Sequence, residues 1–338
     1  MPYSIGILAA IALATVGIWL TVEAYLGGLT HFANPQMQRA SQKMQAASQI
    51  IRAEKRTKGL LQSLEIDPNQ TGLIGPEYTE ITTSLGILEA KRTATNPDLA
   101  ATIVRTIANM GIKPPGPVVI LMSGSLVGAN IAAITATEAL GLHPLLISSL
   151  GSSMFGATDP ELTWLDIENL LHEHSLIKAR SMIAVIGGGH ARGSGLASEG
   201  RDAIKASMVR HNIPLLEADN VTDIVRQLEA RIAQAAPSRI ALLINVGGSV
   251  VGLGTCTNGH LLPAGIIQDQ FMCNDGTPGL ILETLNNNIP VLHLLNMRSL
   301  AAKWGLPYDP IPLPVPGNNK LVYGVSPGAV PKLINSDQ

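Results

Sequence analysis

The sequence predicts an α/β protein: a mostly parallel, Rossmann-like sheet or sheets with covering helices, preceded by one N-terminal transmembrane helix and a helical stalk. Three stretches predict the sheet, because each runs from an apolar strand through a glycine-rich turn into a helix and returns by a second apolar strand. They are residues 118–149, 182–218 and 240–295. Units of this kind build parallel sheets, which place their ligands at the carboxyl ends of the strands.

Composition agrees with this class and excludes one group of partners. Of the 338 residues, 46% are hydrophobic and 14% charged, which suits a sheet covered on both faces plus a membrane segment. The net charge of -2 lacks the basic excess of nucleic-acid-binding proteins, so no nucleic-acid partner is predicted. The predicted divisions are an anchor with its flanks (1–28), a stalk (29–70), a first α/β lobe (71–165) and a second lobe with a proline-rich tail (166–338).

The N-terminal segment predicts a single membrane span. Residues 5–22 contain no charge and are long enough to cross a bilayer core of roughly 30 Å with some tilt, and Trp19 lies near one end as an interfacial anchor would. A cleaved signal peptide and a buried helix are the alternatives. No Lys or Arg precedes the segment and several follow it, so the charge bias predicts a cytoplasmic soluble domain.

The next segment predicts an amphipathic helix. Apolar residues recur every three or four positions among Gln, Ser, Lys and Arg: Met37, Ala40, Met44, Ala47 and Ile51. We expect this helix to form a stalk between membrane and domain. A helix lying on the membrane surface and a helix packed on its own domain are the alternatives.

A polar stretch follows, with two adjacent cations. Lys91 and Arg92 precede a helix start at Asn96-Pro97, so we expect them on an extended segment or loop. Together with the helix N-terminus they could bind a carboxylate or phosphate. A solvated surface turn explains the same residues.

Four segments resemble a known family. They read LIGPEYTEITTSLGILEAKRTATNPDLAA, SGSLVGANIAA, ISSLGSSMFGATDPELTWLDIENLL and VLHLLNMRSLAAKWGLPYDPIPLP. These segments, with the N-terminal anchor, resemble the membrane-associated poly-gamma-glutamate system proteins of bacterial poly-γ-glutamate synthesis gene clusters. The resemblance implies a capsule-type role in making, exporting or trimming the polymer. It implies as partners poly-γ-glutamate or a glutamate-containing precursor, other membrane subunits of the synthase, and a bilayer around residues 5–22. It supplies no catalytic residue.

The three glycine turns are the candidate site. The first contains Ser123, Gly124 and Ser125, and it lacks both the GK[ST] of a P-loop and a full GxGxxG, so no nucleotide cofactor is predicted. Its amides and hydroxyls would converge on an anion. The second and third turns add Gly188, Gly189, His190, Arg192, Gly248 and Ser249. If the turns meet, they form a pocket for an anionic ligand, with Lys91 and Arg92 as lid residues.

The same residues allow an enzymatic alternative. Ser123 with His190 as base could form a serine-type amidohydrolase or transpeptidase, although the GxSxG elbow is absent. His293, flanked by leucines within a strand, is expected to be a core histidine. A non-catalytic assembly subunit of the synthase is the second alternative.

The cysteines and the C-terminal tail complete the predictions. Cys256 and Cys273 lie in one loop-rich stretch where a disulfide is conceivable, but two reduced thiols are expected. Their spacing matches no usual metal-ligand pattern, so no metal site is predicted. The alternate prolines after residue 309 predict an extended tail that wraps the domain, with a strand-like segment at 321–325.

Overall fold

The computed structural model describes residues 6–7, 12–21 and 34–324. The predicted membrane span at residues 5–22 therefore lies partly outside the described residues. Within them, no helix combines the length and the apolar character required to cross a membrane.

The centre of the described domain is a six-stranded sheet in the order β5-β3-β2-β6-β8-β7, and all pairs are parallel except β7 with β8. A separate parallel pair joins β1 to β4. The strands are β1 (Thr82–Ser84), β2 (Pro117–Ser123), β3 (His143–Ser149), β4 (Ser152–Ser153), β5 (Ser181–Val185), β6 (Leu242–Val246), β7 (Gly265–Ile267) and β8 (Val291–Leu294). The mostly parallel α/β class is confirmed.

Helices cover both faces of the sheet, so the central strands are apolar on both sides. In β2, Ile120 and Met122 face one core, and Val119 and Leu121 face the other. The α-helices between residues 34 and 324 are α1 (Pro35–Lys58), α2 (Leu88–Ala94), α3 (Asp98–Asn109), α4 (Val127–Ala139), α5 (Trp164–Glu173), α6 (Ser198–Arg210), α7 (Val221–Ala235), α8 (Val250–Leu253), α9 (Thr257–His260), α10 (Leu280–Asn286), α11 (Met297–Trp304) and α12 (Lys320–Tyr323).

The helix that was predicted to form a stalk packs on the domain as one of its layers. The helix α1 forms as expected, but its apolar stripe is buried in the main core against α3 and α4; Met44 and Ile51 are fully buried. A short apolar stripe that finds a matching face on its own chain is removed from water there. The interpretation as a helix packed on its own domain is therefore the right one.

The predicted division at residue 165 does not separate two sheets. Strands β2 and β3 precede this position and β5 to β8 follow it, yet all six pair in one sheet. The largest core likewise combines residues from Met37 to Tyr323. Residues on both sides of the expected boundary therefore share one sheet and its largest core.

Two local expectations were wrong. Lys91 and Arg92 lie on the short helix α2 instead of an extended segment. In the tail, the strand-like segment begins with the helix α12, in which Tyr323 is buried and donates a hydrogen bond to Asp98 Oδ1 at 2.7 Å. The wrapping path is observed as far as Gly324, and residues 325–338 lie outside the described residues.

The two cysteines form a disulfide, whereas reduced thiols were expected. Cys256 and Cys273 are joined with a Cα–Cα distance of 5.6 Å. Cys256 is buried in the second core and Cys273 packs against its edge. Because Cys256 is buried, the two ends of the segment between the cysteines come together, which the sequence spacing alone does not reveal.

Candidate functional site

A cleft of about 720 Å³ opens at the carboxyl ends of β2 and β6. The chain leaves β2 toward β3 on one side and later returns to β6 on the other, so these two neighbouring strands form the topological switch point of the sheet. Crossovers diverge at such a point and leave a crevice, which is the usual ligand position in open α/β sheets. The lining residues include Ser123 from the end of β2 and Ser249 after β6.

The charged side chains that line the cleft are all positive. Lys91 and Arg298 contribute positive groups to the cleft, and no Asp or Glu lies among the residues that line it. In the part of the chain that the structure describes, neither cation forms a salt bridge. Two cations without a protein counter-ion in a concave site favour an anionic ligand.

Lys91 lies on the wall of the cleft with little access to water. Lys91 is 6% exposed, and its Nζ donates hydrogen bonds to the carbonyl oxygen of Ser125 and, at 2.6 Å, to Ser153 Oγ. Burial lowers the pKa of Lys91 to about 7, because no acidic group compensates for the lost hydration of the ammonium. The side chain is therefore close to half protonated near neutral pH.

Arg298 lies at the start of α11 and is exposed at the cleft. Its guanidinium carbon is 4.2 Å from the centroid of the Tyr308 ring, a cation–π distance. The ring supports the planar guanidinium and leaves its edge N–H groups available to a ligand. A carboxylate is a suitable partner because it can accept two parallel hydrogen bonds from that edge.

Two residues that line the cleft have backbone N–H groups without a partner among the described residues. Within the described residues, those of Gly248 and Ser249 donate to no protein acceptor. The turn before them needs a left-handed residue, Gly247 at φ +85°, and a Cβ there would approach the Ser123 Cβ at 3.0 Å. Glycine therefore brings the ends of β2 and β6 into close contact.

Most of the predicted site residues line this one cleft. Ser123 and Ser125 come from the first turn and Lys91 from α2. The second and third turns contribute Gly188, Gly189, Gly248 and Ser249. The three turns therefore meet along one edge of the sheet.

Two predicted residues of the second turn point elsewhere. The turn folds back on itself, with His190 at φ +54° and Gly193 N donating to Gly187 O at 2.7 Å. Ala191 is buried in the second core, and its neighbours are consequently directed to solvent. His190 is exposed and does not line the cleft, and Arg192 Nη1 donates to Asp219 O at 3.2 Å. The expected pairing of Ser123 with His190 is not observed.

The remaining two predicted residues have structural partners. Arg92 forms a bidentate pair with Asp309, at 2.7 Å from Nε and 2.6 Å from Nη2, and so ties α2 to the C-terminal segment. Gly124 is buried beneath Leu150, whose carbonyl oxygen would lie 2.7 Å from an added Cβ. Neither residue lines the cleft.

Sequence reasoning missed several lining residues, among them Ser149, Ser153, Arg298 and Tyr308. Ser149 ends β3 and Ser153 follows it in the run ISSLGSS, which is as rich in hydroxyls at a strand end as the turn after β2. This similarity was a usable signal. Arg298 enters from α11 and Tyr308 from the segment that follows this helix, and no local pattern marks them.

His293 is a core residue, as predicted. It lies in β8, is 1% exposed, and its Nδ1 is 3.0 Å from Asn245 Nδ2 on the neighbouring strand. Burial lowers the pKa of His293 to about 4, so the ring is neutral and Nδ1 accepts the hydrogen bond. The pair ties β6 to β8 beneath the cleft.

The cleft thus combines two basic side chains that have no salt-bridge partner among the described residues with hydroxyls and amide donors at the switch point. Comparison of the chain with protein-family models, with curated proteins and with solved structures finds no match.

Proposed function

We propose that this protein is a membrane component of the poly-γ-glutamate synthesis or export machinery and binds the anionic polymer or its precursor in the switch-point cleft. One observation carries the binding part: Lys91 and Arg298 line a cleft to which the described residues contribute no carboxylate. The segments that resemble the poly-gamma-glutamate system proteins support the pathway. They include Lys91, Ser153 and Arg298.

The chemistry of the cleft fits a carboxylate-bearing chain. A polymer of glutamate joined through its side chains presents one free carboxylate per residue. Arg298 offers a planar donor edge, Lys91 a compact donor deeper in the cleft, and the free N–H groups of Gly248 and Ser249 complete the set. The apolar part of the lining, which includes Leu85 and Ile87, can contact the methylene groups between carboxylates.

We expect γ-linked glutamate oligomers to bind the purified domain, and Arg298→Gln and Lys91→Met each to weaken binding at least about tenfold, because each removes a charge-assisted hydrogen bond. Calorimetry at several pH values measures this. Anion binding requires protonated Lys91, whose pKa is about 7, so affinity should fall as the pH rises above this value.

Arg192→Gln is the matched control, because this arginine was predicted for the site but contacts Asp219 outside it. Its affinity should equal that of the wild type. Equal affinity in all four proteins, or no measurable binding to the wild type, would contradict an anion site in the cleft.

The membrane attachment stays part of the proposal. Residues 12–21 are helical and expose large apolar side chains, including Leu13 at 74% and Trp19 at 59%. Such exposure is costly in water and is relieved in a bilayer. The synthase partners would be reached through this segment.

The disulfide is relevant to the side of the membrane on which the soluble domain lies. The charge bias favours a cytoplasmic domain, but the Cys256–Cys273 bond favours an oxidising compartment, because cytosolic thiols are kept reduced. We therefore propose that the domain lies on the outer face, where the polymer is exported or trimmed, instead of in the cytoplasm as the charge bias predicts. Protease added to intact cells should then digest the domain. Protection of the domain until the cells are opened would instead support a cytoplasmic location.

A further inference from the structure

We propose that Ser153 and Lys91 form a serine–lysine pair that cleaves amide or ester bonds in the ligand of this cleft. The distance from Lys91 Nζ to Ser153 Oγ is 2.6 Å, within hydrogen-bond reach of a nucleophile and its base. Both residues line the cleft. This inference rests on the proposed function, since it names a reaction for the same site.

Among the cleft serines that the structure describes, Ser153 is distinguished by its basic partner. Ser149 and Ser249 are 3.3 Å apart through their hydroxyls and contact no basic group. Ser123 Oγ accepts from Ser125 N at 3.2 Å. The nitrogen of Lys91 is therefore the base that reaches a nucleophile here, a role that His190 was expected to fill.

The surroundings hold this pair in place. The backbone of Ser153 is fixed because its N–H donates to Ser125 Oγ at 2.9 Å, and β4, which contains Ser153, pairs with β1. Lys91 donates to the Ser125 carbonyl and packs against Gly86, where an added Cβ would lie 3.2 Å from Lys91 Cε. A neutral amine can keep the bond to Ser125 O with one N–H and accept the Ser153 hydroxyl with its lone pair.

The reaction balances without a further reagent. Ser153 Oγ attacks the carbonyl carbon while Lys91 Nζ takes its proton, and the carbonyl electron pair moves to oxygen. When the carbonyl re-forms, the C–N bond breaks and Lys91 returns the proton to the leaving amine. Water then attacks the acyl-serine ester with the same proton transfers, which releases a carboxylic acid and restores Ser153. The lowered pKa of Lys91, about 7, lets the free amine be present near neutral pH.

The test uses the γ-(4-nitrophenyl) ester of N-acetylglutamate, an activated acyl donor with a free carboxylate. Wild-type protein should release 4-nitrophenolate, and mass spectrometry should locate the acyl group on Ser153. Ser153→Ala and Lys91→Met should each lower the rate at least about 100-fold, the range of general-base catalysis. At saturating ester, where weaker binding no longer limits the rate, the wild-type rate should rise with pH through about 7, which a purely structural lysine would not cause.

Lys55→Met is the matched control, because Lys55 is also buried but donates to Ile74 O at 2.8 Å, away from any cleft serine. It should acylate at the wild-type rate. An adduct on another residue, or a Ser153→Ala variant as fast as the wild type, would overturn the inference. Oligomer binding, measured for the wild type and for Ser153→Ala, separates the two proposals. A Ser153→Ala variant that binds the oligomer but is no longer acylated supports both. A wild type that is acylated on Ser153 but does not bind the oligomer supports the serine–lysine pair and rejects the polymer site.

Discussion

Lys91→Met is expected to raise the free energy of unfolding at pH 6 while it weakens ligand binding. Burial lowers the pKa of Lys91 from 10.5 to about 7, which at about 1.4 kcal/mol per tenfold change corresponds to a cost of about 5 kcal/mol for the buried ammonium. The variant also loses the hydrogen bonds to Ser125 and Ser153, which offsets part of this gain. Urea unfolding at pH 6 and pH 9 measures the difference.

The sign of the pH dependence follows from proton binding. Between pH 7 and 10 the unfolded chain keeps the Lys91 proton and the folded chain does not, so wild-type stability rises with pH through this window. The advantage of the methionine variant should therefore shrink from pH 6 to pH 9. A variant less stable than the wild type at pH 6 would contradict the expected cost of the buried ammonium.

Loss of the disulfide is expected to lower the free energy of unfolding by about 3 kcal/mol, the chain-entropy value for a short loop. Cys256 and Cys273 are 17 residues apart, and the enclosed segment contains α9 and β7. Since Cys256 is buried, the double replacement by alanine avoids placing a polar side chain in the core. Denaturant unfolding of the wild type and the double variant gives the difference.

Reductant provides the control for this prediction. It should destabilise the wild type by a similar amount and leave the double-alanine variant unchanged. A wild type whose midpoint does not respond to reductant, with both thiols free to alkylation in the folded state, would mean that the bond does not form. The placement on an oxidising face would then lose its support.

The contrast between Lys91 and His190 shows what limits prediction of the site. His190 was expected in the site because it lies in a glycine turn, and Lys91 because it is one of two adjacent cations before a predicted helix start. Ala191 is drawn into the second core and turns His190 outward, while α2 packs so that Lys91 enters the cleft. Which side a turn residue faces depends on the burial of its neighbours against elements distant in sequence, and that information is not local.

Ser153 and α1 illustrate the same limit in two other forms. The partner of Ser153 lies 62 positions away on α2, and no spacing rule connects them. The stripe of α1 was read correctly as one apolar face, but the pattern does not say whether a membrane surface, a partner or its own domain covers it. Packing against α3 and α4 is decided by the shape of those helices.

The sequence by itself determined the parallel α/β sheet, the positions of the three glycine turns, the disposition of His293 and the absence of a nucleotide-loop motif. These follow from periodicity and backbone freedom, which act over a few residues. Only the tertiary structure decided which polar groups enter the cleft, that its cations lack carboxylates among the described residues, and that Lys91 contacts Ser153. Those properties arise where strand ends and helices from separate parts of the chain converge, because burial and electrostatic environment depend on every neighbour at once.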